Sequence, residues 1–278
     1  MTPGRLTRRR VLCASAGLAS AGWFSALGRL AYAAPARHDW IELFDSKSLR
    51  GWHTNPEKIG HGTGGRWTVE NGAIRGEQDP PGSGNGGILL TDRKFSDFEL
   101  ALELKPDWGV CSGLFLRGND RGQCFQFMVD YHDGGNVGHI YGEGIGGFNT
   151  RTFDINGTYD AEHRLTGLAT AGHRPLAETG LDASCAPEEW LRAWKIDDWN
   201  EARVQVSGQY PQIATWINGL KVSQFDGTRT TIPGYDRQKA FDLLGASGSI
   251  AVQVHGGKGW PEGAACRWRN LRVRSLHR

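Results

Sequence analysis

Clustered basic residues, long apolar runs, paired cysteines and closely spaced histidines are all scarce in this 278-residue chain. Each scarcity removes a class of function. No Lys/Arg run occurs beyond residue 34, so the electrostatic footprint of a nucleic-acid binder is missing, and no nucleic-acid partner is expected. The four cysteines past that point, Cys111, Cys124, Cys185 and Cys266, form no CxxC pair, which argues against a thiolate zinc site. One or two disulfides are compatible with four cysteines, and three full pairings exist. Stretches of helical period are missing as well, so the chain is not a bundle.

What is present begins with Thr7-Arg8-Arg9-Arg10-Val11-Leu12, paired arginines ahead of a weakly apolar, Ala/Gly/Ser-rich stretch from Val11 to Gly28. This is the form of a twin-arginine export signal, with cleavage expected after Ala31-Tyr32-Ala33. Glycines interrupt the stretch and Arg29 closes it, so no membrane span is expected once the signal is removed. Cys13 opens the apolar region instead of following it, which is the wrong place for lipid attachment. The assignment also changes the charge. The whole chain has 32 basic and 30 acidic residues, but five arginines precede Ala34, leaving 27 against 30 and a net of −3. A periplasmic or otherwise exported acidic domain, spanning about residues 38–277, is the expectation.

From residue 40 onward, short alternating runs recur between Gly, Asn and Asp clusters, which predicts an all-β antiparallel sandwich. Strands are expected at 66–70, 73–76, 87–90, 97–105, 112–117, 123–130, 137–142, 202–207, 212–218, 248–255 and 266–274. Asn71-Gly72 and Asn218-Gly219 tolerate positive φ and suit tight hairpins. Residues 160–198 break the rhythm and read as an insertion or lid with a short helix in 187–194. The stretch 226–247 reads as a loop.

Successive strand side chains point to opposite faces, so two runs can be resolved into sides. In Cys124–Asp130, Phe125, Phe127 and Val129 make an apolar side, and Gln126 and Asp130 stand opposite. In Ile250–His255, Ile250, Val252 and Val254 turn inward, leaving Gln253 and His255 together. Strict alternation also puts Val137, His139, Tyr141 and Glu143 on one side and Phe115 with Arg117 on another. If these strands are neighbours, Arg117, Gln126, Asp130, His139, Tyr141, Glu143, Gln253 and His255 form one polar face. Gln, His, Asp and Tyr there replace the Lys, Glu and Thr usual on a solvated strand. Asp130, His139, Glu143 and His255 could also supply N and O ligands to a divalent metal, although no HxxxH spacing supports one. Trp199, followed by Asn200, is the tryptophan best placed to stack on a sugar ring; most of the eleven tryptophans are expected in packing roles.

Leu43-Phe44-Asp45, Gly51-Trp52, Trp67–Gly72 (WTVENG), Phe95–Leu100 (FSDFEL), Ser112–Arg117 (SGLFLR), Trp199-Asn200, Trp216–Gly219 (WING), the Gly248–Gly256 run and Arg269-Asn270-Leu271 occur in this order. Together they resemble the family called domain of unknown function 1080, or 3-keto-disaccharide hydrolase domain, over about residues 40–274. The resemblance implies a concanavalin-like jelly-roll sandwich and activity on glycosides already oxidised to a ketone at sugar carbon 3. The glucanase signature Glu-x-Asp-x-x-Glu is missing, which disfavours a two-carboxylate glycosidase mechanism. A Glu-x-Gln strand pattern usual in the family is replaced here around Phe125 and Gln126, and the 160–198 stretch is a second departure.

A ketone at carbon 3 acidifies the hydrogen on carbon 2. A base can then form an enolate, the bond at carbon 1 breaks by β-elimination, and added water completes a net hydrolysis. This chemistry needs a base, a donor over the oxyanion and an acid for the leaving oxygen. The resemblance and the polar face together assign His255 or Asp130 as base, Arg117 to the oxyanion, and Glu143 or Tyr141 as acid. Gln126, His139, Trp199, Asn200 and Gln253 are assigned to the sugar. The rival expectation is a lectin-like module that binds sugar without turning it over, since fold alone does not fix function.

Overall fold

The computed structural model describes residues 40–257 and 260–276. The expected export signal lies outside the described residues. In chain order the strands are β1 (Ile41–Glu42), β2 (Trp52–Thr54), β3 (Arg66–Glu70), β4 (Ala73–Glu77), β5 (Gly87–Phe95), β6 (Phe98–Pro106), β7 (Val110–Gly118), β8 (Cys124–Tyr131) and β9 (Asn136–Glu143). They continue with β10 (Asp154–Tyr159), β11 (Leu165–Ala171), β12 (Leu181–Ser184), β13 (Asn200–Ser207), β14 (Gln212–Ile217), β15 (Leu220–Asp226), β16 (Gly248–Val254) and β17 (Cys266–Ser275). Three helices intervene: α1 (Leu176–Thr179), α2 (Pro187–Ala193) and α3 (Arg237–Leu244).

The strands form a nine-stranded sheet, ordered β12-β15-β14-β13-β6-β17-β4-β3 with β1 on β17, a six-stranded sheet, β2-β5-β16-β7-β8-β9, and a separate two-stranded ribbon, β10-β11. The pairings are antiparallel throughout. One apolar core joins the two sheets: Leu100, Leu102, Leu104, Val204 and Val206 from the larger, and Phe125, Phe127, Val129, Val252 and Val254 from the smaller. This is the expected sandwich, and the alternation in β8 and β16 identifies its inner side correctly. Asn71-Gly72 and Asn218-Gly219 make the anticipated hairpins, with φ of 51° and 74° at the first and 48° and 83° at the second.

The segment read as an insertion begins in the separate β10-β11 ribbon, and its second half is bound to the sandwich. β12 extends the larger sheet by pairing with β15. Trp190 of α2 is fully buried, stacks on Trp194 at 5.2 Å and donates its Nε1–H to the Val137 carbonyl at 3.0 Å. Truncating an indole buried this completely costs roughly 3–5 kcal/mol, so α2 is anchored and is not a lid. The 226–247 stretch likewise contains α3, whose first turn is capped by the Asp236 carboxylate accepting from the Gln238 and Lys239 amides. All four described cysteines are free, so none of the possible disulfides forms.

The outer face of the larger sheet carries a ladder of cross-strand ion pairs. Glu99 binds Arg203 and Arg274, Glu103 binds Arg269, and Asp107 binds Arg267. Trp216 and Trp199 lie under the guanidinium groups of Arg203 and Arg269, each 4.0 Å from ring centroid to guanidinium carbon. The partly exposed pairs of Glu103 and Asp107 contribute about 0–1 kcal/mol each, whereas Glu99 is buried beneath its two arginines. The ladder engages these four arginines and two tryptophans without a ligand.

Candidate functional site

The outer face of the six-stranded sheet is divided in two. At one end Ile88, Leu90, Phe115, Cys124 and Ala251 make an apolar patch roofed by Ile59. At the other end polar side chains converge. The loop that supplies Ile59 continues to His61, whose carbonyl accepts from the Gly86 amide at 2.6 Å. His61 therefore overlooks the polar end, its ring 5.5 Å from that of His255 and edge-on to it. Burial, and secondarily the charge of His255, push His61 below the ordinary histidine range.

Register sets the centre of the polar end. Gln126 lies opposite Tyr141, and Gln253 opposite Gly113. Gln126 reaches across β7 and donates to the Gln253 Oε1 at 2.8 Å. That reach requires Gly113, because a β-carbon there would stand 2.1 Å from the Gln126 Nε2. Gln253 is fully buried, and its own Nε2 has no hydrogen-bond partner among the described residues. A buried amide left unpaired costs about 1–3 kcal/mol, which a bound acceptor would recover.

One step along the sheet, Cys111 and Asp130 face each other, and the thiol donates to Oδ1 at 3.2 Å. His255 follows β16 and donates its backbone amide to the Cys111 carbonyl at 3.2 Å. Its ring Nδ1 sits 2.5 Å from the Gly256 carbonyl. A carbonyl only accepts, so Nδ1 carries a hydrogen, and in the neutral ring Nε2 keeps the lone pair. Glu143 stands opposite Cys124, at the border of the apolar patch, and is near enough to His255 and Asp130 for their charges to act on it.

The carboxyls here differ from those elsewhere. Buried Glu77 and Glu99 are each held by two arginines. Asp130 and Glu143 make no ion pair among the described residues. Burial raises Asp130 above the usual carboxylate range, against the lowering effects of the Cys111 thiol and of His132, His255 and Arg151. Burial raises Glu143 too; Asp130 adds to the rise and His255 opposes it. Tyr141 is raised by burial and by both carboxylates. Sites that shift titratable groups in this way are candidates for acid–base chemistry.

Of the residues selected from the sequence, the structure gathers Gln126, Asp130, Tyr141, Glu143, Gln253 and His255. It does not bring Arg117, His139, Trp199 or Asn200 to them. The register of β16 against β7 shifts between Ser249 and Ala251, and Arg117 adopts φ 53° at this bulge. Its buried guanidinium binds the Ser96 carbonyl at 2.8 Å, the Gly208 carbonyl at 2.8 Å and the Asp97 carboxylate at 2.7 Å. Each of its three nitrogens is already engaged in one of these contacts. In β9 a second bulge, at Gly138 with φ 104°, turns His139 off the face.

His139 is fully buried between Asn136, Thr152 and Ser184, with both ring nitrogens hydrogen-bonded. Burial and Arg174 lower its pKa to about 3. It therefore opposes protonation of the folded chain: the stabilisation is complete above pH 6.5 and is lost as pH falls toward 3. Between pH 7 and pH 4 the loss should reach about 3 kcal/mol. Urea denaturation of wild type and His139→Gln at the two pH values checks this. An equal pH dependence in both proteins would contradict it.

Asn200 is buried and ties a turn, accepting from the Lys195 amide at 2.9 Å and from the Asn218 side chain at 2.7 Å. Trp199 lies on the far sheet, as described above. His61, Cys111 and His132 were missed from the sequence. Cys111 and His132 each occupy the right parity to share a side with Asp130, so the alternation of β7 and β8 could have found them. His61 is placed by a loop and left no periodic signal. The metal set His139, Glu143, Asp130 and His255 is not assembled, because His139 is elsewhere. Ligand atoms of Cys111, Asp130 and His132 do lie within 4.8 Å of one another.

Comparison with known proteins places this geometry in a setting. The sequence profile of the 3-keto-alpha-glucoside-1,2-lyase-like domain matches residues 39–274. The chain is 26% identical over 264 residues to the 3-keto-disaccharide hydrolase of Bacteroides thetaiotaomicron, covering 85% of this chain and 78% of that protein. Among solved structures, a candidate glycosyl hydrolase from Parabacteroides distasonis is 20% identical with a TM-score of 0.48, covering 86% of this chain and all of that one. A carbohydrate-binding module, CBM66 of Bacillus subtilis, is 10% identical with a TM-score of 0.40, covering 81% and 96%.

Proposed function

The chain belongs to the 3-keto-alpha-glucoside-1,2-lyase-like domain family, and from that premise we propose that the polar end of the six-stranded sheet binds a 3-keto-glycoside and breaks its bond at carbon 1 by elimination followed by hydration. His255 Nε2 takes the proton from carbon 2. The electron pair moves onto the carbon 3 oxygen, which accepts from the otherwise unpaired Gln253 amide once a side-chain rotation brings the buried Nε2 to the face. As the enolate collapses, the bond from carbon 1 to the leaving oxygen breaks, and Glu143 gives that oxygen its proton. Water then adds across the new double bond, so the sum is hydrolysis with no external oxidant or reductant.

The carrying observation is the pairing of opposite tendencies on one face: an imidazole whose lone pair is exposed by its tautomer, beside a carboxyl that burial and Asp130 incline to keep its proton. Environments that separate base from acid in this way are a recurrent basis for proton-transfer catalysis. Asp130 is the less suitable base, since its carboxylate already accepts the Cys111 thiol. Tyr141 and Gln126 are placed to hold sugar hydroxyls. Export through the twin-arginine route belongs to the same reading, supported by Arg8-Arg9-Arg10 and the segment that follows.

The test incubates the protein with a 3-keto-glucoside and its unoxidised parent in deuterium oxide, followed by NMR. Turnover of the ketone alone, with deuterium entering carbon 2, is expected. Glu143→Gln should slow release of a sugar leaving group about a hundredfold, yet leave release of 4-nitrophenolate nearly unchanged, because that anion needs no proton. Sugar binding without any product would instead identify a lectin-like module.

A further inference from the structure

The thiol of Cys111, a carboxylate oxygen of Asp130 and a ring nitrogen of His132 come within 4.8 Å of one another at the end of β7 and β8. Cys111 and Asp130 are direct cross-strand partners, and His132 follows Asp130 by two positions, on the same side of the chain. We propose that these three side chains bind a divalent cation of borderline softness, Zn2+ or Co2+, with a coordination position left open toward the polar face. The proposal does not rest on the elimination chemistry, since a face that only binds sugar would hold the ion equally well.

Ligand type and geometry both support it. One sulfur, one nitrogen and one oxygen donor suit a zinc-like ion, and the thiolate disfavours Mg2+ and Ca2+. Three protein ligands with a vacant fourth position are the usual form of a reactive zinc-like site. Around a tetrahedral ion with bonds of about 2.0–2.3 Å, donor atoms stand about 3.5 Å apart. The thiol and carboxylate are already 3.2 Å apart, so small side-chain rotations would complete the set.

His132 gives an independent indication. Its Nδ1 hydrogen-bonds the Asp133 carbonyl at 2.9 Å, which fixes the hydrogen there and leaves the lone pair on Nε2. Ligating histidines are habitually oriented in this way, by a carbonyl or carboxylate on the other nitrogen. Asp130 has no ion pair among the described residues, and Cys111 is neither disulfide-bonded nor fully buried. Binding would release the thiol proton and place positive charge between Cys111 and Asp130.

The experiment uses the purified chain, stripped with chelator and titrated with cobalt chloride. One equivalent should produce the intense near-ultraviolet band of thiolate-to-cobalt charge transfer, together with visible bands of low-coordinate cobalt, and zinc should abolish both by competition. Cys111→Ser should lose the charge-transfer band, and His132→Gln should weaken binding at least tenfold while keeping it. His132→Gln covers the case in which the cysteine variant fails to fold. Absence of the band in folded wild type at millimolar cobalt, or its persistence in folded Cys111→Ser, overturns the proposal. Cobalt binding without turnover of any ketone would defeat the proposed reaction and leave the metal site standing.

Discussion

Replacement of His255 by alanine is expected to lower kcat/KM on a 3-keto-glycoside roughly a thousandfold, the usual magnitude of a lost general base. The imidazole is held by one ring hydrogen bond, to the Gly256 carbonyl of its own loop, and the residue's backbone bond to Cys111 survives the substitution. Stability should therefore change little, and circular dichroism with a thermal scan separates loss of chemistry from loss of fold. Because Nε2 acts as a free base, added imidazole should restore part of the rate. Deuterium exchange at carbon 2 should disappear along with turnover. A variant that keeps a third or more of wild-type activity would remove His255 from the role.

The second large effect falls on stability. Arg117→Ala is expected to destabilise the protein by about 2–4 kcal/mol, because it empties the space of a fully buried side chain and removes its charge-assisted hydrogen bonds to Ser96, Asp97 and Gly208. Arg117 ties β7 to two separate turns: Ser96 and Asp97 in the β5–β6 turn, and Gly208 in the β13–β14 turn. Its loss unpins the end of both sheets at once. Activity per folded molecule should stay within about threefold of wild type, since no atom of Arg117 reaches the polar face. Denaturation curves paired with turnover at a temperature where both proteins are folded decide the matter. A hundredfold loss of activity with unchanged stability would return Arg117 to the oxyanion.

The two residues misplaced by strand parity, Arg117 and His139, fail for the same physical cause. Side-chain parity along a strand is reliable only while every residue is paired. One extra residue reverses the sides for all that follow. In β9 the irregularity takes in both Gly138 and His139, which together stand against Met128, so His139 leaves the face while Tyr141 and Glu143, regularly paired beyond it, stay there. In β7 the irregularity falls at Leu116 and Arg117, after Cys111 and Gly113 have already been placed. Glycine marks the first bulge in the sequence. Nothing in SGLFLRG distinguishes Arg117 as a residue with positive φ.

Local chemistry was sufficient for much else. The alternation of Phe125, Phe127 and Val129 against Gln126 and Asp130, and of Ile250, Val252 and Val254 against Gln253, follows from apolar surface leaving water. It therefore survives into the folded state. The Asn-Gly hairpins follow from backbone sterics at two residues. The motifs from Leu43 to Leu271 were enough to indicate the family that the profile match then established over residues 39–274.

What the tertiary structure decided is everything that depends on contacts distant in sequence. Only the packed sheet shows that the second half of 160–198 is bound to the sandwich through Trp190, that Trp199 lies beneath Arg269 on the opposite face, and that His61 leans over His255. The free Gln253 amide and the carboxyls without arginine partners exist only once six strands lie side by side. A sequence carries periodicity and turn chemistry because these act between near neighbours. Register, bulges and charge partners arise between strands far apart in the chain, as Ile41 and Val273 are, and folding alone sets them.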